Sequence, residues 1–125
     1  MLEVLPEGLR TAKERPMSRE TPIVQVTVFT PHEGQLDDFI RRQMEGLPRF
    51  GDIPGWHGTR LYRSLDGRTA VLIARFESLE DQQRLSETET FAAHRATLLP
   101  LLEGVSSAPY ELVYERSPDS TPQPA

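Results

Sequence analysis

One histidine in this chain is placed where an imidazole could do chemistry. Phe91, His94, Leu98 and Leu101 recur at three- and four-residue spacing, which puts His94 on the apolar stripe of a helix and turns it toward the rest of the fold. An imidazole held there is a candidate neutral general base, because its ordinary pKa of about 6.5 lies close to working pH and burial lowers it further. It is equally a candidate ligand for haem iron. The bland alternative is a structural histidine bonded to a backbone carbonyl or a carboxylate. Donors for a developing oxyanion could come from Tyr62, Arg60 or Arg75, and apolar walls from Phe39, Leu72, Phe76, Phe91 and Leu98, with Trp56 able to stack on a planar ligand. A base, nearby donors and a dry cavity are what it takes to remove a proton from a weakly acidic ligand and hold the resulting anion away from water. Tyr62 and Arg60 share one face of their strand by period two, and which face meets a pocket is open. His32, His57 and His94 match no metal-ligand spacing, so no metal site is expected.

Elements able to position these side chains follow in order. Ile23 to Phe29 is β-branched and aromatic, a half-buried strand. Thr30, Pro31 and Glu33 have the pattern of an N-cap, a first-turn proline and a capping glutamate, so a helix is expected to start there. Leu36, Phe39, Ile40, Met44 and Leu47 supply its apolar stripe, and Pro48 stops it. Trp56 to Ser64 and Arg68 to Phe76 form a hairpin through Asp66 and Gly67, both expected at positive φ. Ser78 with Asp81, then Ser86 with Glu89, are capping signals for a second helix that breaks and restarts near residue 87. Tyr110 to Glu115 is the expected last strand. The order strand, helix, strand, strand, helix, strand implies an α+β, ferredoxin-like fold with helices on one face of an antiparallel sheet. Val24, Val26, Val28, Val71 and Ile73 alternate with other apolar residues, so both sheet faces need covering and a homodimer is the economical answer.

Composition narrows the partners. The 125 residues allow one modest domain. A net charge of −5, without any basic run, argues against nucleic acid and anionic membranes. The chain has no cysteine, which removes disulfides, thiolate catalysis and iron–sulfur clusters together. Lys13 is the only lysine, which leaves no P-loop lysine in the folded region and gives any anion binding to arginine. No apolar segment is long enough for a signal peptide or a membrane span, so a cytoplasmic location is the expectation. Residues 1–21 read as a flexible N-terminal extension, 22–116 as the folded domain and 117–125 as a disordered tail, with Met17 a candidate true start.

The Pro54-Gly55-Trp56 entry, the Asp66-Gly67 hairpin, the ArgPheGluSer ending at 75–78 and the helix with Phe91 and His94 together resemble the antibiotic biosynthesis monooxygenase family. The resemblance covers about residues 22–116. It implies a dimeric α+β barrel with a pocket between each protomer's sheet and helices. It also implies cofactor-independent monooxygenation of a small hydroxylated aromatic, a polyketide anthrone or quinol, with molecular oxygen as co-substrate and no cofactor. Haem binding through His94 is the alternative it carries, because PheAlaAlaHis at 91–94 is similar to the ligand segment of the haem-degrading branch. The anthrone oxygenases carry an asparagine and a tryptophan where this chain has Leu72 and Phe76, and the haem-degrading members carry an asparagine and a tryptophan where it has Thr27 and Arg84.

Overall fold

The structure is a computed structural model and describes residues 21–118. The expected N-terminal extension up to residue 20, Met17 within it, and the tail beyond residue 118 lie outside the described residues. Four strands form one antiparallel sheet in the order β2-β3-β1-β4: β1 (Ile23–Pro31), β2 (Trp56–Arg63), β3 (Ala70–Phe76) and β4 (Leu102–Tyr110). Three helices, α1 (Leu36–Gly46), α2 (Leu79–Ser86) and α3 (Glu89–Leu98), pack on one face. This is the ferredoxin-like α+β arrangement.

Three boundaries differ from the sequence expectations. β1 continues through Pro31, which pairs with Leu102 after a register shift, and the His32 amide donates to Leu101 at 2.9 Å. Proline is tolerated there because a strand end at an irregularity requires no ladder donor from it. The chain then turns at Gly34, φ 82°, and α1 begins at Leu36 without any side-chain cap, so Thr30 caps nothing. The last strand is Leu102–Tyr110, not Tyr110 to Glu115. Antiparallel pairing to β1 explains this: Val24 opposite Tyr110 is the final pair, and β1 itself ends one residue further on, at Ile23. Residues 111–116 have strand-forming side chains but lie past the end of the described β1 ladder.

The third difference is the restart of the helix. α2 and α3 are separate, as the repeated capping signals predict, and Ser78 accepts from the Asp81 amide at 3.1 Å. The cap of α3 is Thr88, however, whose Oγ1 accepts from the Phe91 amide at 3.1 Å, while Ser86 Oγ donates back to the Gln83 carbonyl at 2.8 Å. The hairpin is also wider than a two-residue turn. The Ser64 amide donates to Thr69 O at 2.9 Å, Gly67 alone takes positive φ, at 75°, and Asp66 accepts from Ser64 Oγ and the Arg68 amide. Those two bonds hold the Asp66 carboxyl below its ordinary range, Ser64 contributing most.

Burial is concentrated between sheet and helices. Phe29, Leu36, Phe39, Ala70, Leu98 and Leu101 form one cluster, with the Phe29 and Phe39 ring centroids 4.7 Å apart, and Ile23, Ala74 and Phe76 form a second against Leu79 and Leu85. Met44, expected on the buried stripe of α1, is 66% exposed, and Gln43 is the residue sealed in at 1%. The opposite sheet face, with Val24, Val26, Val28, Val71 and Ile73, has none of the described helices over it and is partly exposed among the described residues.

Candidate functional site

Between the two layers lies an apolar cavity of about 520 Å³. Period-two alternation turns Thr27 and Phe29 of β1, Leu61 of β2, and Leu72, Ala74 and Phe76 of β3 toward it. Phe91, His94 and Leu98 on α3, Gln43 on α1, and Phe50 close it from the helix side. Trp56 stands at its edge, its indole N–H held by Thr59 Oγ1 at 2.8 Å.

His94 is fixed on two sides. Its Nε2 lies 2.6 Å from Gln43 Oε1, and the Phe50 ring meets the imidazole edge-on with centroids 5.5 Å apart. Its Nδ1–Cε1 edge rests against Gly46, where an added Cβ would overlap both atoms. Gln43 lines the cavity, whereas Gly46 lines a separate groove between α1 and α3 that also contains Arg42 and Arg49. The imidazole therefore spans the wall, Nε2 on the inner side and Nδ1 on the outer. Burial pushes its pKa below the ordinary 6.5, and the nearby Arg49 charge adds to the effect. Neutral imidazole is thus the resting form near pH 7. Because the Gln43 amide has both donor and acceptor ends, it can serve either neutral tautomer.

Of the residues singled out in the sequence, His94, Trp56, Leu72, Phe76, Phe91 and Leu98 line the cavity. Phe39 does not, because it is fully buried behind Phe29 and supports that wall from the core. Tyr62, Arg60 and Arg75 point the other way. Thr59, Leu61, Ala74 and Phe76 take the inward positions of β2 and β3, so their neighbours in the strands emerge on the outer face. Tyr62 is 47% exposed there, and Arg75 donates to the His57 carbonyl at 2.9 Å across the irregular start of β2. The cation at the cavity is instead Arg95, the one arginine among its described lining residues. Sequence reasoning also missed Gln43, although a polar residue one helical turn after Phe39 on an apolar stripe is a legible signal. Ser107 was missed as a cavity group because β4 was expected further along the chain, and Gln25 and Thr27 because the sequence left open which sheet face meets the pocket.

A ferredoxin-like sheet and a helix layer with a histidine-bearing apolar hollow between them define an α+β domain with the kind of concave apolar site in which small ligands are commonly held. The antibiotic biosynthesis monooxygenase family profile matches residues 22–97, and the chain belongs to that family. SnoaB of Streptomyces nogalater, described as a cofactor-independent oxygenase, shares 21% identity over 78% of this chain and 98% of its own, with a TM-score of 0.69. Rv0793 of Mycobacterium tuberculosis shares 20% over 78% and 100%, with a TM-score of 0.68. Protein SO0527 of Shewanella oneidensis shares 18% over 73% and 90%, with a TM-score of 0.66. At these identities the likeness is one of fold. No curated protein matches the chain. Among the described residues, no helix is long and apolar enough to cross a membrane, and no group of three or more histidine or acidic side chains is placed to hold a metal ion.

Proposed function

We propose that this protein is a cofactor-independent monooxygenase acting on a small hydroxylated aromatic of the anthrone or quinol type. The observation that carries the reading is His94 held neutral at the wall of an apolar cavity, oriented by a buried glutamine. Family membership supports the reaction class. A substrate hydroxyl replaces Gln43 at Nε2 and gives up its proton there, in the tautomer that carries hydrogen on Nδ1. Nδ1 then releases its proton toward the outer groove. The anion left in the cavity is stabilised by Arg95 at its edge and shielded from water by Leu72, Phe76 and Leu98. One electron passes to oxygen, the resulting superoxide and substrate radical combine as a peroxide anion, this takes up one proton in place of the one released through His94, and loss of water from the hydroperoxide leaves a carbonyl. For an anthrone the balance is one methylene and one O₂ converted to one carbonyl and one water.

Binding haem through His94 places a further demand on this site, since Nε2 must first leave Gln43 and Nδ1 faces Gly46. The proposed monooxygenase needs no cofactor and works in the cytoplasm. Its assembly is a homodimer through the outer sheet face, supported by five branched aliphatic residues there that none of the described helices covers.

Oxygen uptake by purified protein with an anthrone, without added metal, flavin or haem, is the direct test. The wild type consumes oxygen and forms the quinone, and His94→Ala lowers kcat by about 10²-fold or more while the fold persists. Absence of uptake by the wild type on anthrones and quinols alike, or an unchanged kcat in His94→Ala, would overturn the reading.

A further inference from the structure

Gln43 sits with Leu36 and Phe39 on the buried stripe of α1, and the protein satisfies only one end of its carboxamide. An amide oxygen can only accept, so the 2.6 Å contact with His94 Nε2 uses Gln43 Oε1 as acceptor. The amide nitrogen has two hydrogens and no hydrogen-bond partner among the described residues. That nitrogen is not sealed either. Among the described residues that are not exposed, Gln25 Oε1 is the one side-chain nitrogen or oxygen that is both sealed and partnerless. Gln43 lines the cavity and not the outer groove, so the surface its Nε2 presents is turned to the cavity.

Position and chemistry agree. A carboxamide is planar, so holding Oε1 on His94 also fixes the direction of the N–H bonds beside the imidazole. The support is rigid, because Gln43 lies within α1 and its carbonyl accepts from the Leu47 amide. An N–H donor discriminates in favour of an oxygen that bears charge, since charge-assisted hydrogen bonds are about twice as strong as neutral ones. A ligand oxygen that gives its proton to His94 becomes such an acceptor at this point of the wall. Other donors are less well placed for it: Tyr62, Arg60 and Arg75 emerge on the outer sheet face, and Arg95 is exposed at the cavity edge.

We infer that Gln43 is a catalytic residue whose amide N–H donates to the ligand oxygen deprotonated by His94 and holds it as an oxyanion. The inference rests on the proposed function for the role of His94 as base and deepens it, because it assigns the group in direct contact with the anion and requires the reacting oxygen to reach α1 and α3 together. As the hydroxyl takes the place of Gln43 at His94 Nε2, the carboxamide stays beside it and exchanges its bond to the imidazole for one to the ligand. The hydroxyl hydrogen passes to Nε2, and Gln43 neither gains nor loses a proton. Arg95 complements that bond by its charge from the edge of the cavity.

A nitrophenol, whose phenolate absorbs in the visible, and the corresponding nitroanisole test it by binding titrations across pH. In Gln43→Met, a side chain of similar length without a donor, the ratio of phenolate to phenol affinity falls about tenfold while nitroanisole affinity stays within about twofold. The same substitution made in His94→Ala protein still lowers the ratio, which separates donation from an effect passed through the imidazole. In unsubstituted protein the Gln43 side-chain amide protons move downfield in nuclear magnetic resonance spectra on adding nitrophenolate and not on adding nitroanisole, a readout that requires no variant to fold. An unchanged ratio, a ratio that changes only when His94 is present, an equal loss of nitroanisole and phenolate affinity, or failure of nitrophenol to bind the wild type overturns the inference. Failure of the oxygenase reading is seen separately, as a ratio that follows Gln43 without oxygen uptake on any quinol or anthrone.

Discussion

At residue scale the behaviour of His94 depends on a glycine. Alanine in place of a helical glycine usually gains up to about 1 kcal/mol from propensity. At Gly46 the added methyl would overlap Nδ1 and Cε1 of His94 and force the ring off Gln43. We expect Gly46→Ala to lose roughly 1–3 kcal/mol in urea unfolding near neutral pH instead. The pH dependence supplies the second half of the same prediction. Because burial depresses the His94 pKa in the folded state, the unfolded chain binds that proton more readily. Stability is therefore intact above 6.5 and falls as pH drops through that value toward the folded one. Once the ring is displaced into solvent, that acid-side loss should shrink in Gly46→Ala. A stabilised variant, or one with the wild-type pH slope, would contradict the packing described. His94 was legible in the sequence because helical spacing alone placed it on an apolar stripe. The direction of Arg60, Tyr62 and Arg75 was not, since both faces of β2 and β3 contain apolar and polar residues and only pairing to β1 and β4 shows which face the helices cover.

At the scale of elements, capping distinguishes two neighbouring hydroxyls that looked interchangeable. Thr88 Oγ1 satisfies the Phe91 amide, while Ser86 only returns a bond to the turn before it. Thr88→Ala should cost about 1 kcal/mol and Ser86→Ala much less, measured as the shift in denaturant midpoint at constant slope. Equal costs would mean that the cap of α3 is misassigned. The existence and order of the main elements were legible because each has its own periodicity or punctuation. The hairpin and the break between α2 and α3 show this well, both marked by residues with a local job. β4 was hidden for a physical reason: Gly104, Ser106, Ser107 and Pro109 are poor strand formers, and their conformation is imposed by the β1 ladder. The apolar run that follows looked more like a strand but lies beyond the last pair of the β1 ladder, Val24 opposite Tyr110.

For the whole molecule, the exposed sheet face is where the proposed homodimer is tested. Val26 and Ile73 are directly paired near its centre. Placing glutamate at Ile73 would bury a carboxylate in any interface formed there, so Ile73→Glu should convert a dimer to a monomer in sedimentation equilibrium with little change in circular dichroism. A wild-type protein that is monomeric at all concentrations, or a variant that remains dimeric, would reject that face as the interface. The two-sided apolar pattern was legible in the sequence, but the site within the fold was only half so. Its histidine and aromatic walls announced themselves, whereas its amides and hydroxyls are of types found on any surface, and tertiary placement alone gathers them.

Trp56 gives this arrangement a practical consequence. It is the chain's only tryptophan, it borders the cavity, and its indole is anchored to Thr59. Near-ultraviolet excitation at the red edge of protein absorption therefore interrogates a single chromophore at the mouth of the hollow. Filling and emptying can be followed by its emission in unlabelled protein, without background from a second indole.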